Sequence, residues 1–188
     1  MDWQTVAHDT YYSGRRMEAE ARTAAEPGKW LEYAALKVRK GSYALGIHGY
    51  LNAANLCEAR GDTSGAAAAY GQGLDVAMRA GYRELALILT YRLAQLRESA
   101  GDWEECIATY ERLGAFCEGQ QAFFMAADAY EHVAEIMRKA GRDTSGYTKP
   151  IELWERNVRY WEEKGAEDDA AWSRQHIALY RQLFGVGA

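Results

Sequence analysis

Two adjacent carboxylate pairs, Glu104-Glu105 and Asp168-Asp169, are the side chains best suited by type to acid–base work, and each falls where a helix is expected to begin. The helix dipole favours negative charge in a first turn, so both pairs are expected to stabilise helix starts rather than act on a substrate. The four histidines, His8, His48, His132 and His176, stand far apart on different expected helices, and no metal-ligand set assembles from their spacing. Cys57, Cys106 and Cys117 have no two-residue spacing and lie inside helical apolar patterns, which reads as buried small hydrophobes rather than a metal cluster or disulfide framework. Nucleophile elbows, phosphate-cradling glycine loops, His-Glu-x-x-His and Cys-x-x-Cys pairs do not occur. The 13 tyrosines and 6 tryptophans fall mostly at core-facing spacing, where packing accounts for them. The expectation is a protein that is not an enzyme and carries no metal and no cofactor.

The elements that place these side chains are helices. The chain has 188 residues, 48% apolar and 26% charged, with only two prolines, Pro27 and Pro150, which is the composition of one helical globular domain over 1–188. A net charge of -5 argues against a nucleic-acid partner, which needs a basic footprint. No apolar run approaches the roughly 18 residues of a membrane span, and the start, Met-Asp-Trp-Gln-Thr, lacks the basic and apolar regions of a signal peptide. No membrane insertion and a cytoplasmic location are expected.

Aligned on itself, the chain repeats at an offset of 40 residues. Gly61, Gly101 and Gly141 fall in register, with Ala54, Ala94 and Ala134 seven residues before them and Leu56, Leu96 and Ile136 five before. The segment ahead of each glycine reads as a helix, as in 85–100, where Leu85, Leu89, Leu93 and Leu96 share one face. Glycine ends it; Asp102 then reads as an N-cap with Glu105 in capping-box spacing, and Trp103, Ile107 and Tyr110 begin the next apolar stripe.

The run from Gly101 to Tyr110 resembles the turn and second helix of tetratricopeptide repeat (TPR) proteins, whose pattern is Gly-Asp-aromatic, then a small residue, then an aromatic. The first unit keeps Gly61, Asp62, Ala66 and Tyr70 but has Thr63 at the aromatic place. In the third, Gly141-Arg142-Asp143 is followed by the insertion Thr144-Ser145-Gly146-Tyr147, and the second helix restarts near Pro150. The units exceed the usual TPR length of about 34 residues and lack its closing proline, so the chain is most similar to longer-unit relatives such as the soluble NSF attachment proteins and related bacterial TPR-like domains. The resemblance implies an all-α fold: TPR-like helical hairpin repeats stacked in a right-handed α-solenoid with a C-terminal capping helix, about nine helices and no strands. It divides the chain into degenerate N-terminal helices over 1–42, repeats over 43–81, 82–120 and 121–165, and a cap over 166–188. In the first span, helices are expected near 14–26 and 30–40 with a turn at Gly28-Lys29-Trp30, and the cap carries Trp172, His176, Leu179 and Leu183 along one side.

In TPR solenoids the first helix of each unit lines the concave face through residues 13, 10, 6 and 3 before the turn glycine. The resemblance thus assigns His48, Leu51, Asn55 and Glu58 from the first repeat, and Ile88, Tyr91, Gln95 and Glu98 from the second. The third gives Asp128, Glu131, Glu135 and Arg138. Five of these twelve are acidic and one is basic, with Leu51, Ile88 and Tyr91 as an apolar patch beside the acidic strip of Asp128, Glu131 and Glu135, which suits a basic and apolar partner. Leu51 and Glu131 stand where chaperone-binding relatives need basic residues, which argues against capture of a terminal carboxylate, although Asn55 matches. The soluble NSF attachment proteins use basic inner surfaces, so a membrane-fusion role is not expected either. The function implied is a protein–protein interaction adaptor or scaffold. The alternatives are a small-molecule or lipid sensor with an aromatic-lined cavity, and a structural module that associates with itself.

Overall fold

The computed structural model describes residues 26–186. Among the described residues are eight helices and no strand: α1 (Pro27–Arg39), α2 (Tyr43–Ala59), α3 (Thr63–Ala80), α4 (Arg83–Ala100), α5 (Trp103–Gly119), α6 (Phe123–Lys139), α7 (Lys149–Glu163) and α8 (Glu167–Phe184). The helix expected near 14–26 lies outside the described residues, as does His8. Pro27 starts α1, where its missing N–H would be unpaired in any case, so Gly28-Lys29-Trp30 lies within that helix and not at an interhelical turn.

The helix ends share one geometry. Gly41, Gly61, Gly81, Gly101 and Gly141 take φ between 73° and 77°, and Gly165 and Gly185 follow at 69° and 67°. Gly185 donates to Arg181 O, four positions back. From Gly41 to Gly165, instead, the residue after the turn glycine donates to the carbonyl five positions back, as Asp62 N to Cys57 O at 2.9 Å and Asp102 N to Arg97 O at 2.8 Å, and the glycine itself donates three positions back. This Schellman arrangement satisfies two carbonyls that a helix end would leave bare, and the next helix starts at once. Gln121 occupies the same place with φ 57°, the only non-glycine with positive φ among the described residues. Left-handed positions therefore recur every twenty residues from 41 to 141, and the forty-residue repeat is two such steps. The insertion after Gly141 lengthens one step, with Thr148 preceding Lys149 and Pro150 at the start of α7.

The expected capping box after Gly101 does not form, because the Asp102 side chain makes no cap bond while Glu105 is drawn to Arg97 at 3.1 Å. Asp62 does cap, accepting from Gly65 N at 2.8 Å.

A second periodicity runs inside the helices. Eleven residues before the left-handed position stand Trp30, Tyr50, Tyr70, Tyr110, Tyr130 and Trp154 in six of the eight helices. In α4 the place is taken by Thr90, fully buried and with no partner for its hydroxyl.

The chain divides between Leu96 and Arg97 into two compact units. In the first, α1 packs on α2 and α2 on α3, around Tyr33, Ile47, Tyr70, Leu74 and Leu89. Gly49 permits the close approach of α1, since a Cβ there would lie 2.8 Å from the Ala34 Cβ and 3.0 Å from its Cα. In the second, α5 packs on α6, α6 on α7 and α7 on α8, around Leu113, Val133, Leu153, Trp154 and Tyr180. Ala54, Ala94 and Ala134 are buried, as their register requires, and so are the three cysteines, none of them in a disulfide. Burial pushes the Cys106 thiol up to about 11. None of the described helices is long and apolar enough to cross a membrane.

Candidate interaction surface

In the first unit, His48 and Asn55 are exposed along α2 while Leu51 and Glu58 are half-buried. Tyr70 of α3 joins two of them: its hydroxyl lies 2.8 Å from Asn55 Oδ1 and 2.7 Å from Glu58 Oε2, one proton shared between two acceptors. Burial, then the bond to Glu58, raises the phenol's pKa, so Tyr70 stays a donor and fixes both side chains. On α4, Ile88 and Gln95 are exposed and Tyr91 is half-buried.

In the second unit, Glu98 is not a free charge, since Lys139 Nζ meets its Oε1 at 2.5 Å. The acidic strip on α6 departs from the uniform exposed row that spacing suggests. Glu131 is half-buried and accepts from Trp154 Nε1 at 2.6 Å. Burial pushes its carboxyl up to about 7, the indole bond pulls it down, and the neighbouring Asp128 and Glu135 raise it further. Asp128 and Glu135 flank His132 at 4.0 Å and 3.1 Å, and the His132 ring stacks on Tyr110 at 4.9 Å. Arg138 reaches α8, its guanidinium 5.5 Å from the centre of the Phe184 ring.

The face of α8 that spacing assigned to covering the last repeat is not the one it buries. The helix packs through Ala170, Ser173, Ile177, Tyr180 and Phe184. Ser173 is satisfied there, accepting from Asn157 Nδ2 at 2.8 Å and donating to Asp169 O at 2.9 Å. Trp172, Leu179 and Leu183 remain 47%, 50% and 53% exposed, an apolar stripe one and two turns apart on one side of the helix. Trp172 meets Trp154 edge-on at 5.3 Å, and His176 stacks on Trp154 at 4.5 Å. Trp154 therefore touches both features, its N–H on Glu131 and its ring against the start of the stripe.

Trp172 and Leu179 were absent from the twelve positions assigned to the inner face. Their signal was in the sequence: they stand 13 and 6 residues before Gly185, which takes the same left-handed conformation as the earlier turn glycines. Glu104, Glu105, Asp168 and Asp169 all lie in first turns of helices, as the dipole argument requires. Among the described residues, no three His, Cys, Asp or Glu side chains converge as a metal site.

No family model matches the sequence, and no curated protein matches it either. Solved structures do resemble it. A putative kinesin light chain of Podosopora anserina with nearly identical TPR-like repeats aligns over 98% of this chain and 90% of its own, at 14% identity and a TM-score of 0.47. BtubC (BKLC) of P. vanneervenii aligns over 96% and 92% at 14% identity and TM-score 0.32. The C-terminal part of a TPR repeat-containing protein of Cytophaga hutchinsonii aligns over 85% and 70% at 16% identity and TM-score 0.31. The fold assignment rests on this chain's own helices and turns: an all-α protein of TPR-like helical-hairpin repeats.

Proposed function

We propose that this chain is a protein-interaction module, an adaptor or scaffold, whose second unit holds a basic and apolar helical segment of a partner against α6 and α8. The observation that supports this most is the meeting of two surface features at Trp154. Asp128 and Glu135 carry negative charge on one side, and Trp172, Leu179 and Leu183 expose apolar surface on the other. An exposed apolar stripe rimmed by charge of one sign favours a partner that covers the stripe and brings the opposite sign to its edge. Spacings of seven and four residues match the anchors of a facing amphipathic helix. In the first unit the same reading assigns partner contacts to His48, Leu51, Ile88, Tyr91 and Gln95, with Asn55 and Glu58 held by Tyr70.

The test is capture from native lysate with three forms of the chain: wild type, Asp128→Lys with Glu135→Lys, and Trp172→Ala with Leu179→Ala. Glu131 is left alone because it anchors Trp154. Proteins held by the wild type should be lost from both double variants and should weaken as salt rises. Partners that persist through both sets of substitutions and through high salt would refute the reading.

A further inference from the structure

We propose that the turn between α5 and α6, together with one edge of α7, forms a second binding site that takes an acidic peptide segment through a single carboxylate. It shares no residue with the α6 and α8 face. Gln121, Phe123, Arg156, Arg159, Tyr160 and Glu163 line a cleft of about 320 Å³.

Two arginines in this cleft are in different states. Arg156 is committed: its guanidinium lies 4.4 Å from the centre of the Phe123 ring and bonds Glu118 Oε1 at 2.5 Å, while Lys149 takes the other oxygen of Glu118 at 3.0 Å. Arg159 is exposed and makes no hydrogen bond or ion pair among the described residues. It has carboxylates four residues away on both sides, Glu155 and Glu163, and pairs with neither. One unengaged guanidinium with a fixed planar fork matches one carboxylate held by two parallel bonds. A phosphate dianion fits this cleft less well than a carboxylate, because Arg156 is already held by Glu118 and Glu163, which also lines the cleft, adds a negative charge. The rings of Phe123 and Tyr160, edge-on at 6.5 Å, supply an apolar wall for the segment's neighbouring side chain.

Gln121 is the independent observation. Seven equivalent turns use glycine, and this one holds a glutamine in the left-handed conformation that glycine adopts freely. A residue kept where it strains the backbone, and lining a cleft, points to use of its side chain. Its amide supplies two N–H donors to the same cleft that Arg159 lines.

The probe is a fluorescein-labelled, acetylated ten-residue peptide of alternating glutamate and leucine, followed by polarisation at low salt, with a lysine and leucine peptide as control. Wild type should bind the glutamate probe saturably and the control far less. Arg159→Gln should weaken binding by about tenfold, the loss of a charge-assisted bond. Gln121→Gly should raise the melting temperature and still weaken binding by about threefold, which separates a ligand contact from a structural one. Asp128→Lys with Glu135→Lys should leave probe affinity unchanged, so failure here is distinct from failure of the α6 and α8 reading. No saturable binding, equal binding of the lysine control, unchanged affinity in Arg159→Gln or Gln121→Gly, or displacement of the probe by millimolar inorganic phosphate would each overturn the assignment.

Discussion

The indole N–H of Trp154 donates to Glu131 Oε1 across 2.6 Å, so a buried core residue of α7 controls a carboxylate on α6 that surface spacing alone would leave to solvent. The burial that pushes this carboxyl up to about 7 from 4.5 also makes it a pH-dependent element of stability. The folded state binds the proton more tightly than the unfolded state, so its stabilising contribution is complete below about pH 4.5 and is lost as pH rises through about 7. Linkage puts the ceiling near 3 kcal/mol, and solvent screening of a half-buried group lowers this to on the order of 1 to 2 kcal/mol. Urea midpoints of wild type and Glu131→Gln should coincide near pH 5, with the variant the more stable at pH 8. Parallel curves across that range would contradict the buried environment of Glu131.

Thr90 and Thr109 are both buried threonines in the middle of a helix, yet only one has partners. Thr109 Oγ1 donates to Glu105 O at 2.6 Å and accepts from Arg97, whereas Thr90 Oγ1 meets nothing. Thr90→Val should stabilise by about 1 kcal/mol because it removes an unsatisfied hydroxyl without changing shape. Thr109→Val should destabilise by about 1 to 2 kcal/mol because it leaves polar neighbours unmatched. Denaturant midpoints moving in the same direction for both would refute the contrast.

The turn series makes opposite predictions at equivalent places. Gln121→Gly should gain about 1 kcal/mol by relieving left-handed strain, while Gly101→Ala should lose about as much. A Cβ at Gly101 would meet nothing within 4 Å, so any loss there is backbone strain and not a clash. Calorimetric melting temperatures read both changes.

Ala94 is buried at the small-residue place of the repeat. Ala94→Leu should overpack it and cost about 1 to 3 kcal/mol, measured by urea midpoint at unchanged slope. An unaltered midpoint would mean that this register does not govern packing.

Much of the fold was legible because its determinants are local. The turn glycines announce a left-handed residue whatever surrounds them, and the apolar spacing ahead of each announces the buried face of a helix, so the forty-residue period, the buried alanines and cysteines, and the restart of α7 beside Pro150 could be read from neighbours in the chain. The twenty-residue step at Gln121 was less visible, because glutamine gives no sign of positive φ until the turn is seen. Surface chemistry depended on partners far apart in sequence. Whether Glu131 stands in water or against an indole is decided 23 residues away at Trp154, and whether Asn55 and Glu58 are free is decided at Tyr70. Helical spacing showed that Trp172, Leu179 and Leu183 share a side of α8, but only packing decided that the helix buries the neighbouring side through Ile177, Tyr180 and Phe184. A chain's periodicity records which residues lie together on one helix; which of its faces loses water depends on what the next helices bring against it.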